Sequence, residues 1–571
     1  MSYLEHTIQR KRIGIFFGFI FIFFAVIIFR LFDLQVMRNN IYLKMADKQH
    51  WTTRKIPAKR GLIYTTDIKT GEKNTLATNE TLNMVYAVPR QIKNKEEASK
   101  KLSDILGIDS KEISNLINND KVYVPIKHKL NNEEVSKIEE SDLLGIMLSP
   151  EEWRNYPEGE LASHVVGFIN NDGEGQYGIE SYFNDQLKGK SGEVTLEKDN
   201  SGRQITASLK QENPVLNGQD IVLTIDRVIQ SFAEADLKDA VEKHKSPGGS
   251  IIVMNPDNGD IWAMANYPTF DPNKYNEIKD YELFKNSAIA HLYEPGSIFK
   301  ILTMAAGIDT GKIFPNTTYT DTGEVKIGGY TIRNASNKVY GKRTMTEVLE
   351  NSINTGTIFI KDTIGNEVFY NYIKNFGLGR KTGIGLLGEE TGVLKSFKSW
   401  KDINFATATF GQGIAVTPLQ FITAASAIAN GGELVNPNIV SRYILPDGST
   451  KEPERTKKRV IKKETANILS AMMVSVVEKG HGKKAQIPGF RVAGKTGTAQ
   501  IPLKDGNGYE AYKSIGSFIL FVPAEDAKFI ILVKIDEPQG VQWAESTAAP
   551  VAGELAKKIL NYLEIPPNNK E

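Results

Sequence analysis

Ser297 and Lys300, in Glu294-Pro295-Gly296-Ser297-Ile298-Phe299-Lys300, form the only Ser-x-x-Lys in the 571-residue sequence. A serine hydroxyl is a weak nucleophile and needs a base beside it. A lysine three residues on lies on the same helical face. It can serve as that base if burial or a second cation lowers its pKa from the ordinary ~10.4. Pro295 and Gly296 break the chain ahead of the pair, and the run after it is apolar on nearly every face, which predicts a buried helix. Taken alone, the fragment fits an N-cap serine with a solvent-facing lysine equally well.

Two further fragments bear on that choice. Ser352-Ile353-Asn354 is the only Ser-x-Asn in the chain, although Ser and Asn are common in turns. Lys-Thr-Gly occurs at Lys69, Lys381 and Lys495. The first two lie in Gly- and charge-rich loops. The third opens Lys495-Thr496-Gly497-Thr498, an extended segment whose Gly497 permits close approach of a ligand backbone.

Composition removes competing chemistries. There is no cysteine, hence no disulfide framework, thiolate zinc site or cysteine nucleophile, and sortase-like and L,D-transpeptidase-like reactions are excluded. The seven histidines are scattered without a pair at ligand spacing, so neither a metal nor a cofactor is expected. Lys plus Arg (70) nearly balances Asp plus Glu (68), which leaves no electrostatic case for nucleic-acid binding.

The elements that position these residues follow from the patterning. Ile13 to Phe29 carries no charged or polar side chain and spans roughly 25 Å as a helix. Leu31 and Phe32 extend it, with Arg30 able to snorkel. Arg10, Lys11 and Arg12 precede it, favouring the N-terminus inside the cell membrane and the bulk of the chain outside. No small-residue cleavage site follows, so an uncleaved single-pass anchor is expected over a signal peptide.

Beyond the anchor, Leu82–Val88 reads as a strand closed by Pro89, and Glu96–Leu106 and Leu130–Glu140 read as helices. Gly167–Gly178 reads as turn or loop. Gly249–Met254 and Ile261–Ala265 flank a turn and predict an antiparallel hairpin. Helices are expected at Phe299–Ile308, Leu419–Ile428 and Glu464–Val477, and strands at Ser514–Val522 and Lys528–Ile535. The Ile565–Asn569 tail is expected to end the fold without a further domain.

In the order Ser-x-x-Lys, Ser-x-Asn, Lys-Thr-Gly-Thr, the three fragments resemble the motif set of penicillin-binding proteins. The chain is similar to class B penicillin-binding proteins, the peptidoglycan D,D-transpeptidases, over nearly its full length. Tyr293-Glu294-Pro295-Gly296-Ser297, the Val492–Gln500 segment and the Phe410-Gly411-Gln412-Gly413 loop resemble the division-type branch. Arg60-Gly61-Leu62-Ile63, Arg154-x-Tyr156-Pro157, His164-Val165-Val166-Gly167 and Gly178-Ile179-Glu180 are similar to the family's pedestal motifs. One departure stands out. Tyr64-Thr65-Thr66-Asp67 and a longer loop to Gly71 replace the family's usual Asp-Arg-Asn-Gly turn.

The resemblance implies an α/β (α+β) fold: a cytoplasmic tail (1–12), a transmembrane anchor (13–32), and an elongated mixed α/β pedestal of dimerisation type (33–242). A transpeptidase domain with an antiparallel sheet flanked by helices (243–566) completes it. Ser297 is then the nucleophile and Lys300 its base. Ser352 relays a proton, Asn354 hydrogen-bonds Lys300 and the substrate amide, and Lys495 supplies positive potential. Thr496, Gly497 and Thr498 bind substrate, and the N–H groups of Ser297 and Thr498 form the oxyanion hole. No deacylating glutamate is assignable, which favours a transpeptidase over a β-lactamase. His164, Glu180 and Arg60 read as structural. The implied substrates are stem peptides and lipid II-derived strands, with β-lactams as inhibitors. The implied partners are a polytopic membrane glycosyltransferase and other divisome proteins. The alternatives are an elongation-type transpeptidase, a D,D-carboxypeptidase and an inert membrane scaffold.

Overall fold

The computed structural model of the chain describes residues 2–119, 121–198, 204–503, 508–541 and 543–567. The chain divides into two compact units, residues 1–59 with 188–218, and residues 60–187 with 219–571.

In the first unit a helix runs from Ser2 to Phe32 and continues as a π-helical turn, Asp33–Met37. Its Phe and Ile side chains are exposed all round, Phe21 at 76%. A helix apolar on every face and buried against nothing is suited to a lipid interior. Residues Ile8–Met37 are long and apolar enough to cross a membrane. At the helix end Asp33 is bonded by Arg30 and Arg38, at 2.9 and 3.1 Å. The unit closes with a three-stranded antiparallel sheet of Trp51–Ile56, Gly192–Lys198 and Gln204–Asn213.

The second unit begins with a mixed sheet. Ile63–Thr66 pairs in parallel with Asp220–Leu223 and antiparallel with the long strand Lys73–Ala87. The strand read at Leu82–Val88 is the far half of that long one. Beyond it a small core forms under the helices Lys95–Leu106, Ser110–Ile117 and Asn132–Glu140. The first is capped by Asn94, whose side chain accepts the N–H of Glu97 at 3.2 Å. The departure at Tyr64–Gly71 is a hairpin: Thr66 faces Lys73, and the Asp67 carboxylate closes the turn on the N–H groups of Lys69 and Thr70, at 2.9 and 2.7 Å. The Gly167–Gly178 loop contains a two-residue ladder, Phe168–Ile169 against Gly175–Gln176.

The pedestal-like motifs at Arg60, Arg154 and Gly178 converge on one buried carboxylate. Glu180, fully buried, accepts from Arg60 at 2.6 and 2.8 Å and from Arg154 at 2.7 Å, with the Tyr156 hydroxyl at 3.4 Å. His164 is buried against Phe270, with Nε2 2.9 Å from the Leu283 carbonyl. The structural reading of Arg60, His164 and Glu180 agrees with these contacts.

A five-stranded antiparallel sheet carries the rest. Its strands are β1 (Gly248–Met254), β2 (Ile261–Tyr267), β3 (Ala493–Pro502), β4 (Tyr509–Val522) and β5 (Phe529–Asp536), in the spatial order β2-β1-β5-β4-β3. The six principal helices about it are α1 (Arg227–Lys243), α2 (Lys300–Asp309), α3 (Asn354–Ile364), α4 (Pro418–Ala429), α5 (Lys463–Glu478) and α6 (Ala548–Tyr562).

Successive strand residues face opposite ways. Ile251, Val253, Phe518, Ile531 and Val533 pack under α1 and α6, while Ile252, Met254, Ile519, Phe521 and Leu532 pack against α2, α4 and α5. A sheet covered on both faces explains why these strands read as continuous apolar runs. The sequence reading did not anticipate α6, whose Pro550 sits in the first turn, where its missing N–H costs nothing.

Candidate active site

Ser297 lies in a 3₁₀ turn, Gly296–Phe299, that runs directly into α2 at Lys300. Gly296 makes the entry possible: its φ is +57°, and a Cβ there would lie 3.0 Å from the Thr498 carbonyl oxygen. Helix α2 is buried on every face from Lys300 to Ile308, so its apolar run is core, and Lys300 is carried into that core with no exposed surface. The solvent-facing lysine is thereby ruled out. Ser297 itself is half-buried and lines the cleft.

Lys300 Nζ donates to Asn354 Oδ1 at 2.8 Å, to Ser352 Oγ at 3.2 Å and to the Ser352 carbonyl. Lys495, also fully buried, donates to the same Ser352 Oγ at 3.0 Å and to the Thr496 carbonyl at 3.0 Å. One hydroxyl therefore sits between two lysines, and among the described residues neither has a carboxylate partner. Burial pushes the Lys300 pKa well below the ordinary value, and the neighbouring Lys495 charge pushes it further. Burial lowers Lys495 to about 7. Among the described residues no hydrogen bond holds the Ser297 hydroxyl, which leaves it free to meet a ligand.

Ser352 reaches this place at a conformational cost. Its φ is +53°, in the left-handed region that serine rarely occupies, and that turn brings its carbonyl and hydroxyl onto Lys300 together. The turn is held from behind. Asn334 accepts the N–H groups of Asn354 and Thr355 at 3.1 and 3.2 Å, capping α3, and is itself gripped by Asp321. Asn354 Nδ2 donates to the Arg333 carbonyl at 3.0 Å, so its Oδ1 is aimed at Lys300.

The Lys495–Thr498 segment is part of β3, the sheet's edge strand. Lys495 faces Ile519 and Gly497 faces Ser517 on β4. A Cβ on Gly497 would lie 2.5 Å from Ser517 Oγ, 2.9 Å from Ile298 and 3.0 Å from the Pro295 carbonyl oxygen, so only glycine lets β3 lie against the Ser297 turn. Thr496 and Thr498, two residues apart on one strand face, both line the cleft. The Thr498 hydroxyl accepts from the Ala544 N–H at 3.3 Å. The other two Lys-Thr-Gly copies lie in loops away from this strand.

The cleft holds about 870 Å³. Besides the motif residues it is walled by Arg333, Gln412, Trp543 and the ion-paired His481 and Glu545, 3.1 Å apart. Sequence reading named only Gln412 of these, within its loop. The others, Arg333 at the end of the short strand Tyr330–Arg333, His481 and Trp543 outside the regular elements and Glu545 in the 3₁₀ turn Ala544–Ser546, lie far apart in the chain and carry no local signature.

A buried nucleophile turn, an unneutralised lysine pair and an edge strand offering hydroxyls define a serine acyltransferase of the Ser-x-x-Lys type. Comparison with known proteins agrees. The Penicillin binding protein transpeptidase domain family matches residues 249–561, and the Penicillin-binding Protein dimerisation domain family matches residues 55–223. The chain belongs to the class B penicillin-binding proteins.

It is 35% identical to Stage V sporulation protein D of Bacillus subtilis, covering 100% of this chain and 88% of that one. It is 32% identical to the probable peptidoglycan D,D-transpeptidase PenA of Neisseria meningitidis, covering 96% and 92%. Among solved structures, penicillin binding protein 2X from Streptococcus thermophilus superposes with a TM-score of 0.75 at 25% identity, covering 90% of this chain and 81% of that one. Penicillin binding protein 3 from Mycobacterium tuberculosis, complexed with aztreonam, gives 0.71 at 26%, covering 90% and 98%.

Proposed function

We infer that the chain is a membrane-anchored peptidoglycan D,D-transpeptidase that works through an acyl-enzyme on Ser297. The observation that carries this reading is the single Ser352 hydroxyl bonded to two buried lysines that have no carboxylate partner among the described residues. Such an arrangement favours a neutral Lys300 near neutral pH, able to take the Ser297 proton.

Ser297 Oγ attacks the carbonyl carbon of the penultimate D-alanine, and the N–H groups of Ser297 and Thr498 hold the resulting oxyanion. Ser352 passes a proton, resupplied from Lys300, to the departing amine, and the C–N bond breaks to release D-alanine. An amine of a neighbouring stem peptide then attacks the ester carbonyl, forms the cross-link and returns the proton to Ser297. Asn354 orients Lys300 and the substrate amide. Lys495, with the Thr496 and Thr498 hydroxyls, receives the terminal carboxylate, and Gly497 lets the strand approach. β-Lactams acylate the same serine.

The family matches and the composition of each region support a pedestal at 33–242 and a transpeptidase domain at 243–566, behind a tail (1–12) and an anchor (13–32). The Arg10–Arg12 cluster supports an N-terminus in the cytoplasm and a catalytic part outside the cell membrane. The role is cross-linking of septal wall, beside a polytopic glycosyltransferase that polymerises lipid II and other division proteins. A sporulation-stage role is the second reading, favoured by 35% identity over the whole chain to Stage V sporulation protein D.

The test is covalent labelling of the detergent-solubilised chain by a fluorescent penicillin, beside Ser297→Ala. Label on the parent and none on the variant is expected, and equal labelling would move the nucleophile elsewhere. A stem-peptide ester with an added amine acceptor separates transfer from hydrolysis: a water-only product would make the enzyme a carboxypeptidase.

A further inference from the structure

Away from the cleft, a second cavity of about 330 Å³ opens between the Phe376–Thr382 loop, α4 and the short strand Lys457–Arg459. Its wall contains Arg380, Lys381, Lys457 and Lys458 and no aspartate or glutamate. Four cations around one hollow are unusual in a chain whose net charge is only +2. Lys457 is held by Glu433 at 3.0 Å, a carboxylate outside the cavity wall that also takes Arg459. Among the described residues Arg380, Lys381 and Lys458 have no carboxylate partner.

A second observation is independent of charge. Thr423, on α4, lines the same cavity and is 94% buried, and its hydroxyl makes no hydrogen bond among the described residues. A buried hydroxyl without a partner costs free energy unless something else satisfies it.

The loop carrying the cations is built rigidly. The Thr382 hydroxyl and the Gly383 N–H bond to the buried Glu389 carboxylate at 2.6 and 3.1 Å. Gln420 Nε2 donates to the Arg380 carbonyl at 2.7 Å, while its Oε1 accepts the Thr417 N–H at 3.0 Å. These bonds fix the Arg380–Thr382 side of the hollow, whose wall presents a guanidinium and ammonium groups beside the Thr423 hydroxyl and the exposed side chains of Asn436 and Thr456.

We propose that this cavity, lined by Arg380, Lys381, Lys457, Lys458 and Thr423, is a binding site for a phosphate-bearing ligand. A phosphate monoester or diester offers the clustered acceptor oxygens that a guanidinium fork and a hydroxyl address together. The site is separate from the acylation site and does not depend on the function inferred for it. The same phosphate chemistry is offered by a water-soluble phosphoester and by an anionic lipid headgroup.

Titration calorimetry of the detergent-solubilised full chain with inorganic phosphate, at ionic strength held constant with chloride, tests the site. Saturable binding is expected, weakened about tenfold or more in Arg380→Ala. Thr423→Val should weaken it several-fold while holding or raising the melting temperature without phosphate, because the hydroxyl has no bond to lose and its unmet burial cost is removed. Fluorescent-penicillin labelling of Ser297 should be unchanged in both variants. Glycerol 3-phosphate and dihexanoyl phosphatidylglycerol then divide the sources: tighter binding of the first assigns a soluble phosphoester, of the second a headgroup. No saturable binding, or equal binding by the parent and both variants, would overturn the proposal.

Discussion

Glu180 and the Lys300–Lys495 pair are both charges taken out of water, and the chain treats them in opposite ways. Glu180 is surrounded by opposite charge: two guanidinium groups at 2.6 to 2.8 Å saturate both of its oxygens. The lysines are surrounded by neutral oxygen and meet at the shared Ser352 hydroxyl, and the Lys495 charge bears on Lys300. A compensated buried ion is held in its charged form and ties segments together. An uncompensated one is driven toward its neutral form, and a neutral lysine is a base. The first arrangement joins Arg60, Arg154 and Glu180 across the chain, and the second prepares a proton acceptor.

Substitutions should separate the two arrangements, beginning with the largest effect. Ser297→Ala should abolish penicillin labelling, and Lys300→Met should lower the acylation rate about 10³-fold. Both should stay folded, and Lys300→Met should change the melting temperature little, since it removes a buried ammonium that has no carboxylate partner among the described residues while stranding its acceptors on Asn354 and Ser352. A large loss of stability in Lys300→Met would show that the lysine is compensated after all.

Glu180→Gln should do the reverse. It leaves two guanidinium groups buried without a counter-charge, costing about 3–5 kcal/mol in urea unfolding. Acylation by the molecules that remain folded should persist. A variant as stable as the parent would break the contrast.

Next is the pH dependence. Lys300 must be neutral to accept a proton, so the acylation rate should fall on the acid side as it protonates. The Lys495 charge lowers the Lys300 pKa. In Lys495→Met the Lys300 pKa therefore rises, and the acid limb of the residual activity should move to higher pH.

Stability carries the same sign information. Lys495 titrates at about 7 in the folded chain against 10.5 for an unperturbed lysine. Between those values the unfolded chain binds more protons, so this residue's contribution to stability rises with pH across that window. Urea midpoints of parent and Lys495→Met, compared at pH 7 and pH 9.5, should show the difference.

The smallest effect belongs to a charge that never left water. Arg227 and Glu158 meet at 2.9 Å with 46% and 28% of their side chains exposed, and Glu158→Gln should cost no more than about 1 kcal/mol.

Much of this arrangement was legible in one dimension. The Gly249–Ala265 hairpin, the helices at 299–308, 419–428 and 464–477 and the two late strands appear within a few residues of their predicted places. Each announces itself by an apolar period or a turn. The anchor helix was equally plain. What escaped was of two kinds. Helix α6 was missed because its apolar face is mostly alanine and Pro550 looks like a breaker, although the first turn of a helix tolerates proline. Trp543, Arg333 and the His481–Glu545 pair were missed because nothing local marks a residue that lines a cleft from a distant part of the chain.

The sequence by itself determined the chemistry available. It holds one Ser-x-x-Lys, one Ser-x-Asn, no thiol, a membrane-length apolar run, and glycines at 296 and 497, where β3 meets the Ser297 turn. Residue type and spacing suffice for that, because nucleophilicity, hydrophobic period and glycine's freedom at positive φ are properties of short segments. Tertiary structure alone decided what Lys300 is. Nothing within the Ser-x-x-Lys fragment distinguishes a solvated lysine from a buried one. Only the packing of α2 against the sheet and its neighbours, the left-handed turn at Ser352 and the approach of β3 bring two lysine side chains to one hydroxyl with no carboxylate partner among the described residues. Desolvation and like-charge proximity depend on atoms distant in the chain, so a lysine's basicity is settled only when the fold closes around it.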